Sequence, residues 1–286
     1  MLNRIFLDSY EPQIEAIKTN GIKIIEKSGE EHLFTNGKGY LSGKYKEQVD
    51  IVIVFVKSTF TEIALAENQH LFGEHTLVVT LQNGAGNDRK IAKYVKNENI
   101  VIGTSKHNAV NLGNGNVSHP AIGTTTIGSN QKDNSAVQVI EKLLSESNFE
   151  TIVSEDIQRI IWSKLFVNLS VNTLTALTET PIGYMIKDQH AWGFAKRLIY
   201  EAVDVAEADG TYFDRREALA SVRKVCEDTG SGYSSMYQDR KKRVKMEIDA
   251  INGAIVEQAK LYGVPTPYNS IIVDLIHAIE GAYEFD

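Results

Sequence analysis

The sequence predicts an α/β domain with a largely parallel sheet, followed by an all-helical domain. Two patterns carry this. Through the first half, short apolar runs alternate with helical periodicity, the order that builds a layered α/β domain. From Asp156 onward nearly every segment keeps the helical period instead. The boundary falls near Ser154, giving domains 1–154 and 155–286. A length of 286 residues suits two domains, because single cores stop growing near this size.

The elements follow in order. Arg4-Ile5-Phe6-Leu7-Asp8 reads as a strand ending in an acid. Pro12 to Lys18 reads as a helix stopped by Asn20-Gly21. Ile22–Glu26 and His32–Thr35 read as strands around Ser28-Gly29. Ile51 to Val56 is apolar on both faces, as a covered parallel strand is. Thr76–Leu81 is another such strand, and Ile100–Gly103 a further one. Thr124–Gly128 reads as an edge strand, Ser135–Ser147 as an amphipathic helix, and Phe149–Val153 as the last strand. The helical half is broken at Pro181-Ile182-Gly183, Asp209-Gly210, Thr229–Gly232 and Gly263-Val264-Pro265.

Composition narrows the function classes. A net charge of −7 argues against a general nucleic-acid-binding surface. The longest purely apolar run, Ile51–Val56, is far too short to span a bilayer. No signal-peptide pattern follows Met1-Leu2-Asn3-Arg4. A single cysteine, Cys226, excludes an internal disulfide and fits a reducing, cytoplasmic compartment. It reads as a small buried apolar residue. No metal is expected, since His107 and His119 lack ligand spacing. His119-Pro120 reads as a structural turn.

The strongest functional signal is polar residues on an otherwise apolar helix. Trp162 to Leu177 is apolar on nearly every side, yet Lys164, Asn168 and Asn172 recur at i, i+4 and i+8 and share a face. A lysine and two amides there are costly unless something satisfies them. The face therefore reads as lining a functional cleft; a solvated or internally hydrogen-bonded stripe is the competing reading.

Four segments together resemble the ketopantoate reductase (2-dehydropantoate 2-reductase) family. They are Val56-Lys57-Ser58 after an apolar strand, Leu81-Gln82-Asn83-Gly84-Ala85-Gly86-Asn87, the Lys164/Asn168/Asn172 helix, and a C-terminal series. That series runs Ser234-Ser235-Met236-Tyr237-Gln238-Asp239, Glu247–Gly253 and Gly263–Asn269. The resemblance covers the chain from Ile5 onward. It implies an N-terminally truncated, Rossmann-like dinucleotide-binding domain followed by a helical substrate and catalytic domain. Family members open with a strand, a Gly-x-Gly-x-x-Gly turn and a helix that cradle the pyrophosphate. The sequence begins after that unit. Gly37-Lys38-Gly39, Gly84-Ala85-Gly86 and Gly113-Asn114-Gly115 are partial echoes of it. A shortened record, an impaired cofactor site, or another segment or subunit in the gap are the readings left open.

The implied reaction is reduction of 2-dehydropantoate to pantoate, in pantothenate biosynthesis, with NADP as the usual cofactor and NAD also open. In it Lys164 is the general acid and Glu247 the second key ionisable residue. Asn168, Asn172 and Ser235 contact the substrate, while Lys57, Asn83 and Asp8 contact the cofactor. An acid such as Asp8 at a strand end tends to favour NAD. Gly232 stands where family members often carry an asparagine, and Ile182 where an amide can occur, so substrate fit is less fixed than reaction type. The apolar helical half makes a homodimer plausible. The rival reading is a non-catalytic or cofactor-impaired paralogue, or a truncated gene product, that keeps the substrate cleft.

Overall fold

The computed structural model describes residues 3–132 and 134–284; Met1 and Leu2, where the leader pattern was sought, lie outside them. The chain divides into two compact units. The first comprises Met1–Val56, Phe60–Gln82 and Asp88–Ile157. The second comprises Lys57–Thr59, Asn83–Asn87 and Gln158–Asp286. Two short loops that follow strands of the α/β half thus cluster with the helices.

The α/β unit holds its strands in three sheets. In the first, β1 (Arg4–Asp8) runs parallel to β4 (Gly37–Leu41), with α1 (Glu11–Asn20) packed on β4. The sequence reading missed β4, because Gly37-Lys38-Gly39 carries no apolar alternation. Its glycines answer to packing: a Cβ on Gly37 would lie 2.3 Å from the Phe6 ring. They form a strand and open no helix.

The second sheet is built on β5 (Val49–Val54), β6 (Phe72–Thr80), β7 (Ile100–Ser105), β10 (Thr125–Gly128) and β11 (Thr151–Val153), in the order β11-β10-β7-β6-β5. Only β10 against β7 is antiparallel. The segment expected as an edge strand, β10, therefore lies inside the sheet, with β11 at the edge. Helix α4 (Ser135–Glu146) buries Ala136, Val137 and Ile140 against Val79, Val101 and Ile127. Asn134 caps it, accepting from the Ala136 amide at 2.8 Å.

The third sheet joins β2 (Ile22–Glu26), β3 (Glu31–Phe34), β8 (Asn108–Gly113) and β9 (Asn116–Ala121), in the order β3-β2-β9-β8. Here too the sequence reading needs correcting: His119-Pro120 lies within β9 and is no turn. Pro120 is tolerated because the β8–β9 register shifts between Asn108 and Val110, so a missing amide falls at an irregularity. His119 accepts or donates at 3.0 Å with His107 and sits 2.9 Å from Glu26.

The helical unit forms around one long apolar helix. It runs as α5 (Ile157–Val167), a π-helical turn (Asn168–Asn172) and α6 (Thr173–Thr178). The joined helix of 22 residues has the length and composition to cross a membrane, and 56% of its apolar window is buried within the protein. Trp162, Phe166, Leu169 and Val171 are at most 1% exposed, packed against α7 (Gln189–Ala208) and α8 (Arg215–Asp228) through Leu198, Ala202 and Val222. Phe166 meets Phe213 edge-on, with ring centroids 4.8 Å apart. Cys226 is buried in α8, and that burial pushes its thiol up to about 11, as befits an inert apolar residue. Helices α9 (Ser235–Lys241), α10 (Ala254–Tyr262) and α11 (Pro267–Ala282) complete the unit, with a second π-helical turn, Asp249–Gly253, leading into α10.

Candidate active site

The helical unit contains most of the sequence-derived site residues. Lys164 occupies the last turn of α5 and is half-buried. Asn168 and Asn172 begin and end the first π-helical turn, and Asn172 Nδ2 donates to Asn168 Oδ1 at 3.2 Å. The i, i+4 spacing of this pair survives the widened turn, so both amides stay on one face. π-Turns of this kind cluster at functional sites.

Glu247 is half-buried just ahead of the second π-helical turn, and its carbonyl accepts from the Ala250 and Ile251 amides at 3.1 Å. Its carboxylate takes a hydrogen bond from Asn83 Nδ2 at 3.3 Å. Asn83 opens the loop that belongs to the helical unit. That loop needs glycine: Gly84 has φ +91°, and a Cβ on it would lie 2.5 Å from the Ala250 carbonyl. Asn87 Nδ2 closes the loop on the Asn83 carbonyl at 3.2 Å.

Ser235 is the first residue of α9 and is exposed. Its neighbour Ser234 is the buried one. Ser234 caps α9 by accepting from the Tyr237 amide at 3.1 Å, and its hydroxyl lies 2.8 Å from Thr175 Oγ1. It also donates to the Asn172 carbonyl at 3.3 Å, which ties α9 to the amide pair.

Sequence reasoning missed Asp239, one turn beyond Ser235 on α9. Burial raises its carboxyl above the usual aspartate range; the nearby Lys57 ammonium opposes that shift, while the Glu247 carboxylate adds to it. Lys57 itself is exposed. Lys57, Asp239, Glu247 and Asn83 thus form one polar group in the helical unit. The available signal was the i, i+4 spacing of Ser235 and Asp239. The residues that give Asp239 its character lie far away in sequence.

Asp8 belongs to the α/β unit. It is exposed at the C-terminal end of β1, where α/β sheets bind ligands, and its Oδ1 accepts from the Tyr10 amide at 2.9 Å.

These groups suit a carbonyl reduction. An ammonium can give a proton to, and stabilise charge on, a developing alkoxide. Amides can hold hydroxyl and carbonyl oxygens without a net charge to desolvate. Fit to a dinucleotide is partial. Asp8, exposed at a strand end, has the chemistry to accept from a ribose hydroxyl. Among the described residues, no strand leads through Gly-x-Gly-x-x-Gly into a helix. Gly84 and Gly86 do link β6 to α3 (Asn87–Ile91), but a Cβ on them would meet the Ala250 carbonyl and the Gln258 side chain, so they answer to packing. No group of histidine, cysteine and carboxylate residues able to hold a metal occurs among the described residues.

A strand-alternating α/β unit with a helical unit of this kind is the architecture of the Rossmann-like oxidoreductases found among its structural neighbours. The family model described as "Ketopantoate reductase PanE/ApbA" matches residues 3–132, and that described as "Ketopantoate reductase PanE/ApbA C terminal" matches residues 156–280. The chain belongs to the ketopantoate reductase family. A 2-dehydropantoate 2-reductase of Halobacterium salinarum is 30% identical over 262 residues, covering 91% of this chain and 85% of that protein. A D-mandelate dehydrogenase solved with NADH and anilino(oxo)acetate superposes with a TM-score of 0.86 at 30% identity, over 98% of this chain and 91% of that one. An Enterococcus faecalis protein proposed to be a 2-dehydropantoate 2-reductase gives 0.78 at 28% identity, over 97% and 90%.

Proposed function

We propose that this chain reduces the 2-dehydropantoate carbonyl to give pantoate, using NADPH or NADH. Residues 1–154 hold the dinucleotide in this reading, and residues 155–286 hold the substrate. The observation that carries it is the Asn168–Asn172 amide pair one turn beyond Lys164, together with Glu247 bonded to Asn83. When bound, the nicotinamide supplies the hydride. Lys164 donates the proton to the carbonyl oxygen and stabilises its charge as it develops. Asn168 and Asn172 orient the substrate's hydroxyl and carbonyl. Ser235 binds its carboxylate. Glu247 orients the substrate hydroxyl and holds Asn83 in place. Asp8 and Lys57 meet the ribose and phosphate groups. Purified chain given 2-dehydropantoate and either cofactor tests this: the reading requires substrate-dependent oxidation of NADPH or NADH. Folded protein that binds neither dinucleotide at micromolar levels would favour the non-catalytic reading.

A specific observation favours a second choice of substrate. The two positions where family members can carry amides, Ile182 and Gly232, are neighbours here. The Ile182 amide donates to the Gly232 carbonyl at 3.0 Å, and a Cβ on Gly232 would lie 3.9 Å from Ile182 Cδ1. An apolar wall there suits a 2-oxo acid with an aryl or branched side chain, in line with the D-mandelate dehydrogenase neighbour. Phenylglyoxylate turned over with a higher kcat/KM than 2-dehydropantoate would establish this choice; the reverse ranking would exclude it.

A further inference from the structure

Two π-helical turns in one unit face each other across a single buried side chain. Asn252, in the second turn, is 0% exposed. Its Nδ2 donates to the Leu169 carbonyl, inside the first turn, at 2.9 Å, and to Asn269 Oδ1 at 2.9 Å. Its Oδ1 accepts from Thr173 Oγ1 at 2.8 Å. A π-turn takes carbonyls out of the ordinary i−4 ladder, and a buried carbonyl left without a donor is costly. Asn252 supplies the donor for Leu169. Ser234 supplies one for Asn172, at the other end of the same turn.

Asn252 is held in turn. Asn269, also 0% exposed, donates to Glu201 Oε2 at 2.7 Å and to the Leu198 carbonyl at 3.2 Å. Glu201 further accepts the Tyr268 and Asn269 amides at 2.9 Å. This satisfied, buried network fixes one geometry, as such networks do.

What it fixes is the spacing of the site. The first turn carries Asn168 and Asn172 at its ends. The second begins two residues after Glu247, and its Ala250 carbonyl abuts Gly84, next to Asn83. We propose that Asn252 and Thr173 are positioning residues, coupling the two π-turns so that the substrate amides keep their phase against Glu247 and Asn83. This rests on the reading of Asn168, Asn172 and Glu247 as the substrate site.

The test is Thr173→Val, which removes one hydroxyl and keeps the shape, beside Thr173→Ser, which keeps the hydroxyl. In Thr173→Val the side-chain amide resonances of Asn168 and Asn172 move in 15N-labelled protein. KM for the 2-oxo acid rises about tenfold or more, as a displaced site does, while KM for the dinucleotide stays within about twofold. Thr173→Ser restores both readouts. Unmoved resonances with wild-type kinetics, or a Thr173→Ser variant as impaired as Thr173→Val, would overturn the proposal. If Thr173→Val does not fold, Ser234→Ala serves instead: it removes one of two hydroxyls that donate to the Asn172 carbonyl, the other being Thr175, and an unmoved Asn172 resonance counts against the coupling. The resonances read positioning without turnover. A wild-type chain that reduces no 2-oxo acid would therefore sink the functional reading alone.

Discussion

The helical unit and the α/β unit satisfy their backbone in opposite ways. In the helical unit even the widened turns are answered: Leu169 by Asn252 and Asn172 by Ser234. In the α/β unit the strands fall into three sheets among the described residues, and there both β1 and β5 pair on one side only. β5 and the residues after it leave large side chains in solvent: Ile53 is 43% exposed and Phe55 68%. The contrast teaches where rigidity is concentrated. The groups proposed to touch substrate stand on the closed framework. Of the groups proposed to meet the cofactor, Asp8 ends β1 and Lys57 follows β5, while Asn83 follows the interior strand β6 and is held by Glu247.

The largest expected effect is on turnover. Lys164→Ala should lower kcat by about 10²- to 10⁴-fold, the range for losing a general acid, with the circular dichroism spectrum unchanged. Equal turnover in the variant would remove Lys164 from the mechanism. Next is the core of the closed unit. Phe166→Ala should cost about 3–5 kcal/mol in denaturant unfolding, because a fully buried ring in contact with Phe213 leaves a cavity. Ile53→Thr on the open strand should change stability by only about 0.5 kcal/mol, while slowing aggregation. Similar costs at Phe166 and Ile53 would erase the contrast between the units.

A smaller effect concerns Asp239. Its carboxyl titrates above an unfolded aspartate, chiefly through burial, so the fold holds a proton that the unfolded chain has already released. Stability therefore falls as pH rises from the ordinary aspartate value through the folded one, and the loss persists at neutral pH. Asp239→Asn should melt higher than wild type at neutral pH, and the difference should vanish below the ordinary aspartate value. A lower melting point at neutral pH would mean that attraction to Lys57 outweighs burial. His107 has the opposite sign. Burial, then the neighbouring His119, holds its imidazole below the usual histidine value, despite Glu26. The fold thus loses stability as pH falls through the ordinary histidine value, and His107→Phe should flatten that slope in thermal melts across the same range.

What the sequence made legible was whatever rests on local spacing. The Lys164, Asn168 and Asn172 row follows from periodicity, and one π-turn does not destroy it. Strand β5 announces itself as an apolar run. Other features depend on residues distant in the chain. β4 is a strand because Phe6 of β1 lies against Gly37, which nothing in Gly37-Lys38-Gly39 declares. Thr124–Gly128 reads as an edge strand, yet β7 and β11 flank it, and neither pairing is declared by its own residues. Asp239 draws its character from Lys57 and Glu247. Asn252 was legible only as part of a motif: its partner carbonyl, Leu169, is 83 residues away. The role of Glu247 came from family resemblance, since its own neighbourhood reads as a charged surface.

The most direct test follows NADPH and NADH oxidation by absorbance, with 2-dehydropantoate and phenylglyoxylate, for the purified chain and its Lys164→Ala variant. The account predicts oxidation that depends on a 2-oxo acid and is lost in the variant. Oxidation that survives in Lys164→Ala, or a folded wild-type chain that oxidises neither cofactor with either acid, would contradict it.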